Sequence, residues 1–392
     1  MRAVAALLLA CASLALAQKP ALEAAWKLIA QGHRDQATAL LRNLIQTDPR
    51  NADAHLLLGS ILMEAGDRPG SLAQLQESVR LLPESAEAHN ALGEAYNTFG
   101  DPTAARPEFE RAVEVDPKHA QAHANLGDVL VQLHHPQLAA PHLDQAIRLF
   151  GNQPDAAYSL YLSARIYTDD HDESKALPQL ERAVALKPDL GAAWSDLGAV
   201  RKTLSDDAGA LSALRRAVAL LPDDAVAQYR LGAQLLENDA THEAVEHLDA
   251  AVRIDPRNQS ALNALQRALR QDGQTERATA VKAQLAQVIR ERDEADQKQV
   301  AAFELNNRGA ALEKAGDLRG ALEQYRAALH LLPGHTGIRA NVGVALLKLG
   351  NWQDGIPELR EALRQDPGNA KLQQALDEAI AQLKRKGVAV PK

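Results

Sequence analysis

Cysteine, aromatic residues and long apolar runs are all scarce in this sequence of 392 residues. Aromatic side chains make up 3% of the chain although the hydrophobic fraction is 46%, so most of the apolar surface comes from Ala, Leu and Val. Such a chain cannot fill a thick core with large rings, but it can pack helices closely on small side chains. The single cysteine, Cys11, lies inside a predicted leader. This excludes a disulfide scaffold, a zinc ribbon and a cysteine hydrolase.

Positive charge is also limited. The formal net charge is −8, and removal of Arg2 with the predicted leader makes it −9. A nucleic-acid partner is therefore excluded, because phosphate binding depends on clustered Lys and Arg. The charged fraction of 24% is typical of folded domains and argues against disorder.

The first 17 residues have the pattern of a secretory signal peptide. Arg2 precedes an apolar run from Ala3 to Leu16, and cleavage after Ala17 would leave Gln18 as the first residue. The run is shorter than the roughly 20 residues of a membrane span, and no other stretch approaches that length, so we predict no integral span. We expect a secreted or periplasmic protein. Because Leu8-Leu9-Ala10-Cys11 resembles a lipoprotein cleavage box, acyl anchoring at Cys11 is the alternative.

The sequence repeats with a period of 34 residues. Prolines follow this spacing within three runs: Pro49, Pro83, Pro117; Pro188, Pro222, Pro256; Pro333, Pro367. Glycines recur at Gly32, Gly66, Gly100, Gly316 and Gly350, and Leu-Gly pairs recur at Gly59, Gly93, Gly127, Gly198 and Gly232. A fixed period of this length indicates a stack of similar helical units.

The third unit, which begins at Ala86, resembles the tetratricopeptide repeat family. It carries the family's signature residues in register: Leu92, Gly93, Tyr96, Ala105, Phe109, Ala112 and Pro117. The resemblance covers nearly the whole chain after the leader. It implies an all-α fold, a right-handed superhelix of about ten helix-turn-helix repeats closed by a C-terminal capping helix. It also implies that the first helices line a concave groove that holds a protein or peptide partner.

The repeat register predicts the domain organisation. We place the signal peptide at 1–17, an array of about eight repeats at 18–289, and two repeats with the capping helix and a basic tail at 302–392. The charged segment 290–301 interrupts the pattern, and we interpret it as a helical linker or a hinge. Repeats begin near residues 18, 52, 86, 120, 157, 191, 225, 259, 302 and 336.

Several histidines invite a metal hypothesis. His242 and His247 stand at i and i+5, about 140° apart on a helix, whereas a zinc-protease helix needs i and i+4. The histidines His55, His89 and His123 recur with the 34-residue period, at the roughly 10 Å spacing of stacked helices, which is too far apart to share one zinc ion. We interpret them as residues that pack in place of the aromatic residue or leucine that the family has at this position. Four others, His134, His135, His142 and His171, fall near turns. We predict no catalytic residue, no metal and no cofactor.

Helical phase predicts which residues face the groove. The predicted peptide-binding residues are Asn90, Glu94, Asn97, Asp128, Tyr158, Tyr161, Arg165 and Asn306. The tyrosines supply rigid amphipathic contact area in a chain with few aromatics. Asn125, Asn307 and Asn341 fall at the phase of the asparagine ladder found in a glycosyltransferase superhelix, although the units between them lack it.

Three functions remain open from the sequence. The first is an exported, non-catalytic scaffold that binds a protein or peptide in its groove. The second is a structural subunit of a cell-envelope assembly for secretion, pili or polysaccharide export, and the third is a metal-dependent hydrolase that uses the histidines. The sequence does not identify the partner or the oligomeric state.

Overall fold

The computed structural model describes residues 20–385, 387, 389 and 390, and within these residues it contains helices and no strand. The predicted signal peptide, Cys11 and Lys386 of the basic tail lie outside the described residues. Two compact units divide the chain, the first ending at Pro256 and the second beginning at Arg257.

The first unit contains seven helix pairs. They are α1 Pro20–Ala30, α2 Arg34–Thr47, α3 Ala52–Glu64, α4 Arg68–Leu81, α5 Ala86–Thr98, α6 Pro102–Val115, α7 Ala120–Gln132, α8 Pro136–Phe150, α9 Ala156–Asp169, α10 Glu173–Leu186, α11 Gly191–Thr203, α12 Asp207–Leu220, α13 Ala225–Glu237 and α14 Thr241–Ile254. Each odd-numbered helix from α3 to α11 packs on its partner and also contacts the first helix of the next pair. The predicted all-α repeat fold is thereby confirmed.

The second unit contains six helices. They are α15 Gln259–Gln271, α16 Thr275–Lys314, α17 Leu318–Leu331, α18 Thr336–Lys348, α19 Trp352–Gln365 and α20 Ala370–Arg385. The helix α16 has 40 residues, about 60 Å at 1.5 Å per residue, and it packs on α15 with one part and on α17 with another. Residues 291–300, within the predicted linker, are exposed along this helix. Whether the linker acts as a hinge stays a prediction.

The turns between paired helices need a residue with a left-handed backbone conformation, that is, with positive φ. Glycines with positive φ occupy six of them, as the sequence pattern predicts: Gly32, Gly66, Gly100, Gly273, Gly316 and Gly350. In four consecutive pairs the same place is taken by residues with a Cβ: His134, His171, Ser205 and Asp239, with φ from 57° to 64°. Since L residues pay a steric cost there, these four turns hold backbone strain.

Close contact inside each pair depends on glycines in the first helices. A methyl group added to Gly127 would lie 2.5 Å from Leu143 of the partner helix, and one added to Gly198 would lie 2.5 Å from Leu214. Both leucines are fully buried. Glycine–leucine contacts of this kind recur along the chain, with Phe109 opposite Gly93 and Tyr325 opposite Gly309 in place of leucine, so the core needs few aromatic residues.

Helix α20 covers the last repeat. Leu372, Leu376 and Leu383 pack into a cluster with Ile356 and Leu359 of α19. No helix in the described part of the chain is long and apolar enough to cross a membrane.

Candidate functional site

The first helices of the first unit form a face on which most of the predicted groove residues gather. Helix α9 contributes Tyr158, Tyr161 and Arg165, which share one side because their spacing is three and four residues. The two tyrosine rings lie 5.9 Å apart in a tilted arrangement, and the Arg165 guanidinium stands 5.9 Å from the Tyr161 ring centroid. Tyr158 is 46% exposed, so its ring is available for contact.

An open pocket of about 430 Å³ lies beside Tyr161 and Arg165. Helices α11 and α13 and the connection from α12 to α13 supply its other walls. Leu221, Val226, Ala192 and Ala199 form an apolar lining, and the polar lining is Thr168, Asp169, Ser195, Asp196, Asp224 and Arg230. Val226 is 47% exposed, so the apolar wall faces solvent.

Glu94 of α5 is a half-buried carboxylate held by amides. Its Oε1 accepts a hydrogen bond from Asn90 Nδ2 at 3.0 Å and one from Asn125 Nδ2 at 2.9 Å. Burial and the nearby charge of Glu87 raise the pKa of Glu94, although the two amide hydrogen bonds oppose the rise. Glu87 itself faces His119 Nε2 at 3.1 Å.

Asp128 of α7 repeats this arrangement one repeat further along. Gln132 Nε2 donates to its Oδ2 at 3.2 Å, and the Tyr158 hydroxyl acts on the same carboxylate. Burial raises the pKa of Asp128, although Gln132 and Tyr158 oppose the rise. Burial and the charge of Asp128 raise the pKa of Tyr158 to about 12, so this phenol remains protonated beside Asp128.

Hydrogen bonds between residues 35 apart connect successive first helices. Asn125 Nδ2 donates to Asn90 Oδ1 at 3.0 Å, and Asn341 Nδ2 donates to Asn306 Oδ1 at 2.8 Å. Each bond runs from one phase of the repeat to the residue one position earlier in the preceding repeat, which is why it spans 35 residues and not 34. Asn307 has the phase of the donors Asn125 and Asn341, as the sequence predicts, but it is exposed, and Asn306 accepts the bond from Asn341.

The predicted residues separate into three places. Asn90, Glu94 and Asp128 lie on α5 and α7, and the Tyr158–Tyr161–Arg165 group on α9 adjoins the pocket. Asn97 lies half-buried near the end of α5, and Asn306 belongs to the second unit. The prediction that these residues bind a peptide stays a prediction.

Sequence reasoning missed the opposite wall of the pocket. Arg230 Nη1 of α13 donates to Ser195 Oγ at 2.8 Å and to Asp196 Oδ1 at 2.7 Å on α11. Arg230 follows Ser195 by 35 residues, as Asn125 follows Asn90. The signal was the helical phase of Arg230, one residue beyond the phase of Ser195 in the preceding repeat.

The periodic histidines hold turns together. His55, His89 and His123 each place Nε2 about 3.0–3.1 Å from the carbonyl of the proline six residues earlier. The Nδ1 atoms face residues of the following helix: Gln74 at 2.7 Å, Glu108 at 2.6 Å and His142 at 3.1 Å. These contacts are structural, and they add hydrogen bonds to the packing role expected from sequence.

The remaining histidines are spread over several elements. His134 and His171 occupy the strained turns, and His247 Nδ1 contacts Gln228 Oε1 at 2.8 Å. Within the described residues, no three side chains among His, Cys, Asp and Glu converge in a way that could hold a metal ion.

Comparison with known proteins identifies the family. Tetratricopeptide repeat models match residues 28–95, 86–129, 124–191, 203–259 and 306–370. These matches cover more than half of the chain, and the chain belongs to the tetratricopeptide repeat family. The family membership supports a general role as a protein-interaction scaffold. Comparison with curated proteins gave no match.

Solved structures show the same fold. PilF of Pseudomonas aeruginosa is 17% identical and aligns over 55% of this chain and 98% of its own, with a TM-score of 0.50. YrrB, described as a repeat protein with an unusual peptide-binding site, is 23% identical over 48% of this chain and 96% of its own, with a TM-score of 0.41. MamA of Desulfovibrio magneticus is 22% identical over 44% of this chain and 97% of its own, with a TM-score of 0.39. Identities this low bear on the fold alone.

Proposed function

We propose that this protein is an exported, non-catalytic scaffold that binds an extended polypeptide segment across α5, α7, α9, α11 and α13. The observation that carries the proposal is the group of Tyr158, Tyr161 and Arg165 beside a pocket with one apolar wall. Tyr and Arg are the residue types that dominate the energetics of protein interfaces. The half-exposed Tyr158 ring offers contact area with little side-chain entropy to lose.

An extended segment fits this site better than a small molecule. The polar groups are spread over several successive helices, whereas a small-molecule site concentrates a few of them at one point. Successive first helices lie about 8–10 Å apart, and an extended chain advances about 3.3 Å per residue. A segment that crosses the helices therefore meets a new helix about every three residues.

Export is the second part of the proposal, and it rests on the leader at 1–17. Intact-mass measurement of the protein from the native cell is expected to show a chain that starts at Gln18. A chain that starts at Cys11 and carries acyl groups would instead support the lipoprotein alternative. A full-length chain would contradict both forms of export.

The groove is tested by capture of the partner. Tagged protein with Tyr158→Ala/Tyr161→Ala is expected to lose a crosslinked protein that the unchanged protein recovers from the envelope fraction. Tyr167→Ala is the matched control, because Tyr167 also lies on α9 and packs partly against the core but contacts Lys175 instead of the groove. Circular dichroism melting establishes that both variants fold. Equal recovery with all three proteins would contradict the groove assignment.

A further inference from the structure

The groove residues differ in charge from one end to the other. On α5 and α7, Glu94 and Asp128 receive hydrogen bonds from side-chain amides. In the described part of the chain, no Lys or Arg forms an ion pair with either carboxylate. The pocket on α9–α13 differs, because one of its three carboxylates, Asp196, pairs with Arg230 at 2.7 Å.

His119 near Glu94 acts to lower the pKa of that carboxyl, and apart from it the groups that compensate these two carboxylates are neutral donors. A half-buried carboxylate loses part of its hydration, and hydrogen bonds from amides recover less of that loss than a cation does. The raised pKa values of Glu94 and Asp128 reflect the same shortage. A cation brought in by a partner would stabilise both charged groups, whereas an anion would be repelled.

Arg165 marks the boundary between the two regions. Its guanidinium lies over the Tyr161 ring and lines the pocket. The pocket carries charges of both signs, from Arg165 and Arg230 and from three aspartates, and Leu221 and Val226 add apolar contact. The groove thus presents two anionic groups on α5 and α7 and then a pocket of mixed charge with an apolar wall.

We propose that the groove takes an extended peptide with a lysine or arginine on Glu94 and Asp128 and an apolar side chain in the pocket beside Val226. This inference rests on the proposed function and names the chemistry of its partner. Helices α7 and α11 are two steps apart, about 16–20 Å. At about 3.3 Å per residue the two side chains are separated by roughly five to six residues.

The test uses fluorescence anisotropy with defined synthetic peptides. The probe is a labelled peptide of two lysines, a four-residue Gly-Ser spacer and two leucines, made in both chain directions. Comparison peptides replace the lysines with glutamates, or the leucines with glycines. The lysine–leucine probe is expected to bind about tenfold more tightly than either comparison peptide, since a charged hydrogen-bonded contact is worth about that much.

Variants assign the preference to the two carboxylates. Glu94→Gln/Asp128→Asn keeps the shape and the acceptor oxygens, and it is expected to bind the lysine and glutamate peptides equally. Glu246→Gln/Glu276→Gln is the control, because it removes two exposed negative charges from the second helices α14 and α16. This control is expected to retain the tenfold preference. Circular dichroism melting establishes that both double variants fold.

Two results would overturn the inference. One is equal binding of the lysine and glutamate peptides to the unchanged protein, including no binding of either. The other is a lysine preference that persists in Glu94→Gln/Asp128→Asn. If partner capture still depends on Tyr158 and Tyr161 in either case, the proposed function stands and only the charge pattern fails.

Discussion

Replacement of Gly93 by alanine tests whether glycine spacing controls the packing of each helix pair. Gly93 of α5 faces the ring of Phe109 on α6, and Phe109 is 1% exposed. A methyl group at position 93 would lie 2.7 Å from Phe109 Cε1 and 2.8 Å from Cδ1. Ordinary carbon contacts are about 3.5–4.0 Å, so the ring or the helix must move.

The two effects of Gly93→Ala oppose each other. Excess volume in a packed core costs about 1–3 kcal/mol, while alanine is favoured over glycine inside a helix by about 0.8–1 kcal/mol. We therefore expect a net loss of about 1 kcal/mol in the free energy of unfolding, and no more than about 2. Urea denaturation followed by far-ultraviolet circular dichroism measures this loss.

A control and a rescue make the test specific. Gly334→Ala adds a methyl group where no atom lies within 4 Å, so stability is expected to stay level or rise by up to about 1 kcal/mol. Gly93→Ala/Phe109→Leu recreates the alanine–leucine pairing that Ala164 and Leu180 form in α9 and α10. The double variant is expected to lose less free energy of unfolding than the sum of the losses in Gly93→Ala and Phe109→Leu.

The reasoning fails if Gly93→Ala is as stable as Gly334→Ala, or if the double variant shows no coupling. Because a repeat array need not unfold in one step, hydrogen exchange localises the change. Faster exchange is expected in α5 and α6 before it appears in distant helices.

Two further predictions concern turns and histidines. Ser205→Gly removes a Cβ from a turn at φ 64° and is expected to raise the free energy of unfolding by about 0.5–1 kcal/mol; an unchanged or lower urea midpoint would contradict the strain. The stability contributed by His89 and that contributed by His123 and His142 should depend on pH in opposite directions. The hydrogen bond with Glu108 raises the pKa of His89 despite burial, so its contribution is complete below about pH 6.5 and is lost as pH rises through the raised value. Burial lowers the pKa of His123 and His142, so their contribution is lost as pH falls from about 6.5 toward the lowered values. The measurement is the urea midpoint as a function of pH. His89→Gln is expected to lose stability mainly at acid pH, and His142→Gln is expected to lack the decline in stability that the unchanged protein shows at acid pH. Curves parallel to that of the unchanged protein would refute both expectations.

The sequence predicted the helices well because each repeat carries local signals. The period, the closing prolines and the turn glycines locate paired helices before any packing is known. It predicted less about the four turns at His134, His171, Ser205 and Asp239, where residues with a Cβ adopt the glycine conformation. Both kinds of turn are closed by the same backbone hydrogen bonds, as from His33 N to Leu28 O and from His135 N to Leu130 O, so the turn forms although its residue with positive φ is not a glycine.

Of the residues in the proposed groove, the sequence singled out some and not others. Tyr158, Tyr161 and Arg165 stood out because aromatics are rare, and the structure places them together beside the pocket. Arg230 did not stand out, since its role depends on Ser195 and Asp196 one repeat away. A side chain that bridges repeats is visible only once the register between helices is known to within one residue.

The fourth residue of each first helix shows what produces periodicity in this chain. His55, His89 and His123 contact the carbonyl of the proline six residues earlier, and three chemically different residues make the same contact. They are Trp194 with Pro188, Gln228 with Pro222 and Arg339 with Pro333, at 3.0, 2.8 and 2.7 Å. The feature that recurs is the carbonyl of the proline, which lies at a chain reversal and has no hydrogen-bond partner inside a helix. Any side chain with a donor of suitable reach satisfies it, so the recurrence of histidine needs no shared metal. A repeated residue type in such an array is explained first by the repeated backbone group that it satisfies.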